Sequence, residues 1–151
     1  MQPSDFNALL IEKFPFQPTA SQAVWINEIT EYLFYGDSST IFILKGYAGT
    51  GKSTSIGHLV NFLPKITYRA VLMAQTGRAA KVMSGYAAKK AYTIHKHIYF
   101  TKSEGGSGMK FTLKPNKFKN TLFVVDEASM IGDDRQNTKL FENGSLLGDL
   151  M

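Results

Sequence analysis

The chain has 151 residues, 44% of them hydrophobic and 19% charged, proportions that fit one globular domain and exclude a disordered or fibrous protein. It contains no cysteine, which excludes disulfide scaffolds and zinc sites with cysteine ligands. No apolar run approaches the roughly 20 residues of a membrane helix, and the first residues lack the basic and apolar parts of a secretory signal. We therefore expect a cytoplasmic protein with no membrane partner.

The net charge of +5 conceals an uneven distribution. Twelve basic residues and a single acidic residue, Glu104, lie between Lys65 and Lys119, so this segment carries +11 and the remaining residues carry −6. A basic segment of this kind favours a polyanionic partner, nucleic acid first. A solvated lysine surface is the alternative.

Apolar spacing predicts a helix over 4–14 and a second helix over 19–35 that is closed by Gly36. The run from Thr40 to Lys45 is apolar on both faces and predicts a buried strand of a parallel sheet. A helix over 52–62 follows. These elements already alternate in the way that α/β proteins do.

A second buried strand is predicted over 68–74 and a third over 122–125, with a helix over 76–86 between them. Two strand-like segments within 98–114 flank a glycine-rich tip and predict an inserted β-hairpin, for which a surface loop is the alternative. The tail after Asp133 shows no clear capping signal. We therefore expect an α/β sandwich with a mostly parallel sheet.

The segment Gly46–Ser53 matches the phosphate-loop pattern G-x-x-x-x-G-K-[ST], and it lies between a predicted strand and a predicted helix. Its backbone N–H groups would face phosphates, Lys52 would reach the β- and γ-phosphates, and the Ser53 hydroxyl would bind Mg²⁺. The residues expected to bind the nucleotide are Gly46, Ala48, Gly49, Thr50, Gly51, Lys52, Ser53 and Thr54.

The third strand ends in two carboxylates, Asp126 and Glu127, at the edge where parallel sheets bind ligands. We expect Asp126 to hold Mg²⁺ together with Ser53, and we expect Glu127 and Lys52 to be catalytic, with Glu127 activating water. The alternative is that Asp126 and Glu127 have no functional role and only form a polar turn at the end of the strand. A GTPase is disfavoured because Asn116-Lys117-Phe118-Lys119 lacks the aspartate of a guanine-reading motif. The acidic pair favours nucleotide hydrolysis coupled to mechanical work.

Four segments, 46–54, 74–81, 93–96 and 125–131, resemble in order and spacing the amino-terminal motor domain of superfamily 1B DNA helicases. The group most similar is that of the exonuclease V alpha subunit, and the resemblance covers roughly 15–150. It implies a RecA-like P-loop NTPase fold, a three-layer sandwich with ATP and Mg²⁺ as cofactors. It also implies 5′-to-3′ movement on single-stranded DNA.

The resemblance also assigns individual residues. Gln22 matches the glutamine that reads adenine, although Thr19 and Gln22 also form a capping-box pattern in which the same amide would bond to the helix start. The residues that match DNA-contacting motifs are Thr76, Gly77, Arg78, Thr93, His95 and Lys96. For His95, locking a helix start is the alternative. Gln75 replaces the proline usual before Thr76, and the hairpin over 98–114 is the candidate pin that splits a duplex.

Helicases of this type also have a second RecA-like domain, which supplies arginines to the γ-phosphate. The resemblance implies that residues 1–151 hold only the amino-terminal RecA-like ATP-binding domain, as a fragment with a truncated sheet. In this family one further strand normally lies between the strands that end here at Lys45 and Asp126, and we expect it to be absent from the sheet. We expect Mg²⁺-ATP and single-stranded DNA binding with little activity. The alternative is a non-catalytic nucleic-acid-binding or regulatory module.

Overall fold

A computed structural model describes residues 1–37, 39–102, 110–133 and 140–151. Two compact units make up the chain, an amino-terminal unit (Met1–Arg69) and a carboxyl-terminal unit (Ala70–Met151). In the described parts of the chain, no helix combines the length and apolar character needed to cross a membrane.

The amino-terminal unit is helical. It contains α1 (Pro3–Glu12), α2 (Ala20–Tyr35) and α3 (Lys52–Phe62), and a short 3₁₀ turn (Leu63–Ile66) follows α3. Each of the three predicted helices is confirmed. The first ends two residues earlier than expected.

The core of this unit holds helix α3 against α1. Its fully buried side chains are Phe6, Leu10, Ile26, Leu59 and Leu63. The Nε2 atom of His58, in α3, lies 2.8 Å from the carbonyl oxygen of Leu10. Since a carbonyl oxygen only accepts, this nitrogen carries a hydrogen and donates the hydrogen bond. Helix α3 opens at the phosphate loop, and this bond therefore anchors the helix that follows the loop.

The prediction of a strand over Thr40–Lys45 is wrong. This segment belongs to neither a strand nor a helix, and the side chains of Ile41 and Ile43 are 55% and 71% exposed. Apolar composition favours a strand, but a strand exists only where a neighbouring strand supplies hydrogen-bond partners. No strand pairs with this segment within the described ranges 1–37, 39–102, 110–133 and 140–151.

The carboxyl-terminal unit contains a three-stranded parallel sheet in the order β2–β1–β5. Strand β1 (Arg69–Ala74) begins at the unit boundary, β2 (Ala91–Thr93) pairs with it, and β5 (Thr121–Asp126) lies on its other side. Helix α4 (Gly77–Ala87) connects β1 to β2. The predicted α/β fold is confirmed, and it is consistent with a truncated RecA-like P-loop fold. Strand β5 is only half-buried, whereas a fully buried strand was expected.

A short helix, α5 (Ile94–Ile98), leads into an antiparallel hairpin of β3 (Tyr99–Lys102) and β4 (Lys110–Leu113). The inserted hairpin is therefore confirmed. Its predicted first residue, Ile98, belongs to α5, and the glycine-rich tip lies outside the described residues. The sequence interpretation missed both β2 and α5.

The chain ends in helix α6 (Leu146–Leu150), which the sequence did not predict. The sequence shows no clear capping signal in this tail, but in the structure Ser145 caps the helix, because its Oγ accepts the backbone N–H of Gly148 at 3.0 Å. Leu146 is buried in a cluster with Met73, Ile94 and Tyr99. This packing orders the tail against the sheet and the hairpin.

The hydroxyl of Tyr99 donates to Asp149 Oδ2 at 2.5 Å. The backbone N–H groups of Glu142 and Asn143 also donate to this carboxylate, which is nine-tenths buried. Burial, with the hydrogen bond to Asp149, raises the pKa of Tyr99 well above its usual range. The hairpin and α6 are thus joined by a buried polar link with several donors.

Candidate functional site

The phosphate loop has the backbone that its glycines permit. Gly49 and Gly51 have φ values of 79° and 83°, which strongly favour glycine, and Gly51 is the N-cap residue immediately before α3. A Cβ added to Gly46 would lie 2.9 Å from Thr50 Oγ1, and one added to Gly51 would lie 2.8 Å from Gln22 Nε2. The two glycines that the pattern fixes, Gly46 and Gly51, are therefore required by the local backbone and its close neighbours.

Lys52 lies over this loop. Its Nζ donates to the carbonyl oxygens of Gly46 and Tyr47, at 2.5 and 2.7 Å. Thr50 Oγ1 also donates to the Tyr47 carbonyl, at 2.8 Å. The ammonium of Lys52 is thus held beside the loop by two neutral carbonyl oxygens. An anionic phosphate oxygen would accept a stronger hydrogen bond from this ammonium than these carbonyls do.

Gln22 is buried next to the loop and uses its side chain to cap α2. Its Oε1 accepts the backbone N–H of Thr19 at 2.9 Å, and Thr19 Oγ1 accepts the backbone N–H of Gln22 at 3.3 Å. This reciprocal pair is the capping box that was the alternative role of Gln22. The Nε2 atom does not take part in the box, so the reading of adenine by Gln22 stays a prediction.

The acidic pair lies where β5 ends. Asp126 is half-buried, and its Oδ1 accepts the backbone N–H of Glu127 at 2.9 Å. Glu127 is exposed and has a φ of 53°, in the left-handed region that costs a non-glycine residue about 1–2 kcal/mol. Strained backbone of this kind is common at functional sites.

Because β1 and β5 are parallel neighbours, their carboxyl ends meet at one edge of the sheet. The residues that follow β1 and those that end β5 line one cleft of about 210 Å³, formed by Thr76, Arg78, Ala79, Val82, Asp126 and Glu127. The structure therefore brings two of the predicted DNA contacts, Thr76 and Arg78, together with the acidic pair. Thr76 also caps α4, because its Oγ1 accepts the backbone N–H of Ala79 at 3.2 Å.

Tyr86 is a residue of this cleft region that sequence reasoning missed. Its hydroxyl donates to Asp126 Oδ2 at 3.1 Å, and burial together with the charge of Asp126 raises its pKa. Arg78, Val82 and Tyr86 are spaced four residues apart and so share one face of α4. That spacing, counted from Arg78, is the signal that identifies Tyr86.

The other predicted DNA contacts, Thr93, His95 and Lys96, are not among the residues that line the cleft. Thr93 Oγ1 accepts the backbone N–H of Lys96 at 3.3 Å and so caps α5. His95 packs among aromatic rings, with centroids 5.3 Å from Phe111 and 5.8 Å from Tyr99, and burial lowers its pKa. This packing gives His95 a structural contact with the hairpin, whereas Thr93 caps the helix start. The contact of His95 with DNA stays a prediction.

The described residues fit a nucleotide that brings its own magnesium ion. They contain no group of three or more His, Cys, Asp or Glu side chains that could hold a metal. Mg²⁺ keeps several waters and binds through one or two carboxylates together with phosphate oxygens. The Ser53 hydroxyl, which is exposed at the first turn of α3, and the Asp126 carboxylate are each of a ligand type that Mg²⁺ accepts in this mode, and their joint binding of Mg²⁺ stays a prediction. Ser53 lies in the amino-terminal unit and Asp126 in the carboxyl-terminal unit.

Comparison with known proteins identifies the family. A family model described as an AAA domain matches residues 33–144. The ATP-dependent RecD2 DNA helicase of Deinococcus radiodurans is 31% identical over 94 residues, which are 62% of this chain and 12% of that helicase. The multifunctional conjugation protein TraI of Escherichia coli is 34% identical over 100 residues, 64% of this chain and 5% of TraI.

The chain thus spans a small fraction of the length of these relatives. No solved structure matches it. The family match includes the phosphate loop, the cleft and the hairpin, and one of the matched relatives is by name a DNA helicase. The chain therefore belongs to the AAA domain family, and its likeness to RecD2 and TraI supports a superfamily 1 helicase-like motor domain.

Proposed function

We propose that this chain is the ATP-binding motor domain of a 5′-to-3′ DNA helicase of superfamily 1B, similar to the exonuclease V alpha subunit. The observation that carries the proposal is the phosphate loop, in which left-handed glycines lead into α3 with Lys52 at its first position. Such a loop directs backbone N–H groups and the positive end of a helix toward phosphates.

The roles of the individual residues follow from their chemistry. Lys52 and the loop amides bind the phosphates, Ser53 and Asp126 hold the accompanying Mg²⁺, and Glu127 orients the attacking water. The bound magnesium ion supplies charge neutralisation at the transferred phosphate. Asp126 is suited to its part because two hydrogen-bond donors fix its carboxylate at the end of β5.

Single-stranded DNA is the proposed polymer substrate. Arg78 and the capped amino terminus of α4 line the same cleft as Asp126 and Glu127. A phosphate of the DNA backbone bound at this helix start would lie beside the residues proposed to hydrolyse ATP. This shared cleft gives a physical route by which DNA binding influences hydrolysis.

Thermal melting with and without Mg²⁺-ATP tests nucleotide binding. A ligand that binds only the folded state at a hundredfold excess over its Kd stabilises that state by about 2.7 kcal/mol. We expect the wild type to be stabilised and Lys52→Ala to lose the effect. Lys65→Ala removes an exposed lysine elsewhere and should retain it. A melting temperature that ATP leaves unchanged in a folded wild type contradicts the proposal. Retained DNA binding without an ATP response instead supports a non-catalytic nucleic-acid-binding module.

We also propose that these 151 residues alone hydrolyse ATP very slowly and do not unwind DNA. An arginine from another element contributes about 10³- to 10⁵-fold to phosphoryl transfer, and in helicases of the proposed type a second RecA-like domain would supply it. Steady-state ATPase and strand-separation assays test this. Rapid turnover that is stimulated by DNA and abolished in Glu127→Gln contradicts it.

A further inference from the structure

Four aromatic rings of the carboxyl-terminal unit form a connected group. The ring centroids of Tyr92 and His97 are 5.8 Å apart, and those of His97 and Phe118 are 5.4 Å apart. Phe118 and Phe123 meet edge to face at 5.5 Å. The rings come from β2, the end of α5, the segment before β5, and β5 itself, so tertiary structure assembles the group.

Two of these rings remain substantially in water. Phe118 is 48% exposed and Phe123 is 37% exposed, although they contact each other. Burying a phenylalanine side chain is favourable, and exposed aromatic rings that adjoin one another are typical of binding surfaces. None of the four rings belongs to the cleft lined by Arg78 and Glu127.

Lysines surround the rings. Lys90 Nζ lies 5.4 Å from the centroid of the Tyr92 ring, and Lys117 and Lys119 flank Phe118 and are exposed. Among the described residues the one ion pair joins Lys13 to Glu12, so none of the lysines in this group is neutralised by a carboxylate there. Burial and the nearby charge of Lys114 hold the pKa of His97 below its usual range, which leaves its ring neutral near pH 7.

We propose that this aromatic–basic surface, defined by Tyr92, His97, Phe118 and Phe123 with Lys90, Lys117 and Lys119, binds the unpaired bases of single-stranded DNA. The inference rests on the proposed function and adds a base-stacking contact to the phosphate contacts at the cleft. Exposed rings offer faces on which bases stack, and lysines between them attract the phosphates that connect those bases. A duplex presents the same phosphates but keeps its bases stacked on one another. It can therefore bind the lysines but cannot stack its bases on the rings.

Fluorescence anisotropy with two oligonucleotides of equal length tests the proposal. One is oligothymidylate, and the other has the same backbone without bases. We expect the wild type to bind the abasic strand at least about fivefold more weakly. Phe118→Leu should bind oligothymidylate more weakly by a similar factor and should no longer distinguish the two strands, whereas Phe118→Trp should retain the preference.

Matched variants separate stacking from charge and from folding. Phe16→Leu alters a phenylalanine that is 52% exposed in the amino-terminal unit and should change neither affinity. Lys117→Ala with Lys119→Ala should weaken binding of both strands by the same factor and make the salt dependence shallower. If Phe118→Leu fails to fold, Phe123→Leu gives the same test.

The outcomes distinguish this inference from the proposed function. Equal affinity of the wild type for both strands, or a base preference that survives in the folded leucine variants, overturns the inference and leaves the proposed DNA binding intact. Absence of binding to either strand overturns both. If the folded leucine variants bind both strands as the wild type does, the exposed rings do not bind bases and the proposal is wrong.

Discussion

The hydroxyl of Tyr86 donates a hydrogen bond to Asp126 across 3.1 Å, and this bond connects the last turn of α4 to the end of β5. The other oxygen of the same carboxylate accepts the backbone N–H of Glu127. Asp126 is therefore oriented by two donors, one on each oxygen. Helix α4 begins directly after Thr76, a predicted DNA contact, and its Tyr86 contacts Asp126. One helix therefore contacts both the predicted DNA contacts and the acidic pair of the cleft.

Tyr86→Phe should weaken the part of nucleotide binding that depends on magnesium. The substitution removes one hydrogen bond, worth about 0.5–1.5 kcal/mol, from the proposed magnesium carboxylate. We expect Mg²⁺-ATP to bind about two- to tenfold more weakly, with binding in the presence of a chelator unchanged. Titration with a fluorescent ATP analogue, with and without Mg²⁺, measures both. Tyr35→Phe, at a position that is 70% exposed, is the control. An equal loss of ATP affinity with and without Mg²⁺ would show that Tyr86 has only a structural role.

Glu127→Gly should yield a more stable protein than Glu127→Ala. At a φ of 53° an alanine retains the left-handed strain, whereas glycine does not, and the difference should be about 1 kcal/mol in the free energy of unfolding. Urea denaturation of the two variants, neither of which has a carboxylate at this position, measures the difference. Equal stabilities would show that the backbone at this position is not strained in solution.

Gln22→Glu should separate the two roles of this side chain. Glutamate keeps an oxygen that accepts the Thr19 N–H, so the capping box and the melting temperature should be retained. It lacks the amide donor that adenine reading needs, so the preference for ATP over GTP should fall toward unity. Competition binding of the two nucleotides provides the measurement. A preference that persists in the variant would refute adenine reading by Gln22.

Acidification should destabilise the fold before the carboxylates titrate. Burial lowers the pKa values of His58, His95 and His97 below the ordinary 6.5. The folded state then binds fewer protons than the unfolded state, so the free energy of unfolding is highest above pH 6.5 and declines as the pH falls below it. Denaturation at a series of pH values tests this. His58→Gln, which keeps a donor for the Leu10 carbonyl but cannot titrate, should show a weaker pH dependence, and an unchanged dependence would exclude a contribution from His58.

Single-stranded DNA binding should weaken as salt is added. Each phosphate neutralised on a single strand contributes about −0.7 to the slope of log affinity against log salt. Arg78→Ala and Lys96→Ala should each make the slope shallower by about that amount. Lys13→Ala, whose lysine pairs with Glu12 at 2.7 Å, should leave the slope unchanged. An affinity indifferent to salt would contradict DNA binding by the basic segment.

Elements with local causes were predictable from the sequence. Helix α3 occupies the predicted 52–62, and Thr19 caps α2 with the expected capping box. Gly51, which the phosphate-loop pattern fixes, has the left-handed backbone that favours glycine. In each case the interacting groups lie within a few residues of one another, so their order along the chain is sufficient to define the structure.

Elements that depend on distant partners were not predictable in the same way. The segment Thr40–Lys45 has the composition of a buried strand but forms no strand, because composition does not supply a neighbouring strand that pairs with it. Strand β2 has three residues and helix α6 has five, too few for a periodic pattern to appear. Both short elements are held by packing against β1 and the hairpin rather than by intrinsic propensity.

The sequence by itself determined the chemical inventory of the candidate site: the glycines and lysine of the loop, the acidic pair at the end of β5, and the basic segment between them. Only the tertiary structure decided which distant residues contact one another. The partners Tyr86 and Asp126 are 40 residues apart, Tyr99 and Asp149 are 50 apart, and the rings of the aromatic–basic surface come from separate elements. Such contacts form where parallel strands end at a common edge and where helices pack on the sheet, because burial of shared apolar surface, rather than local hydrogen bonding, brings distant segments together.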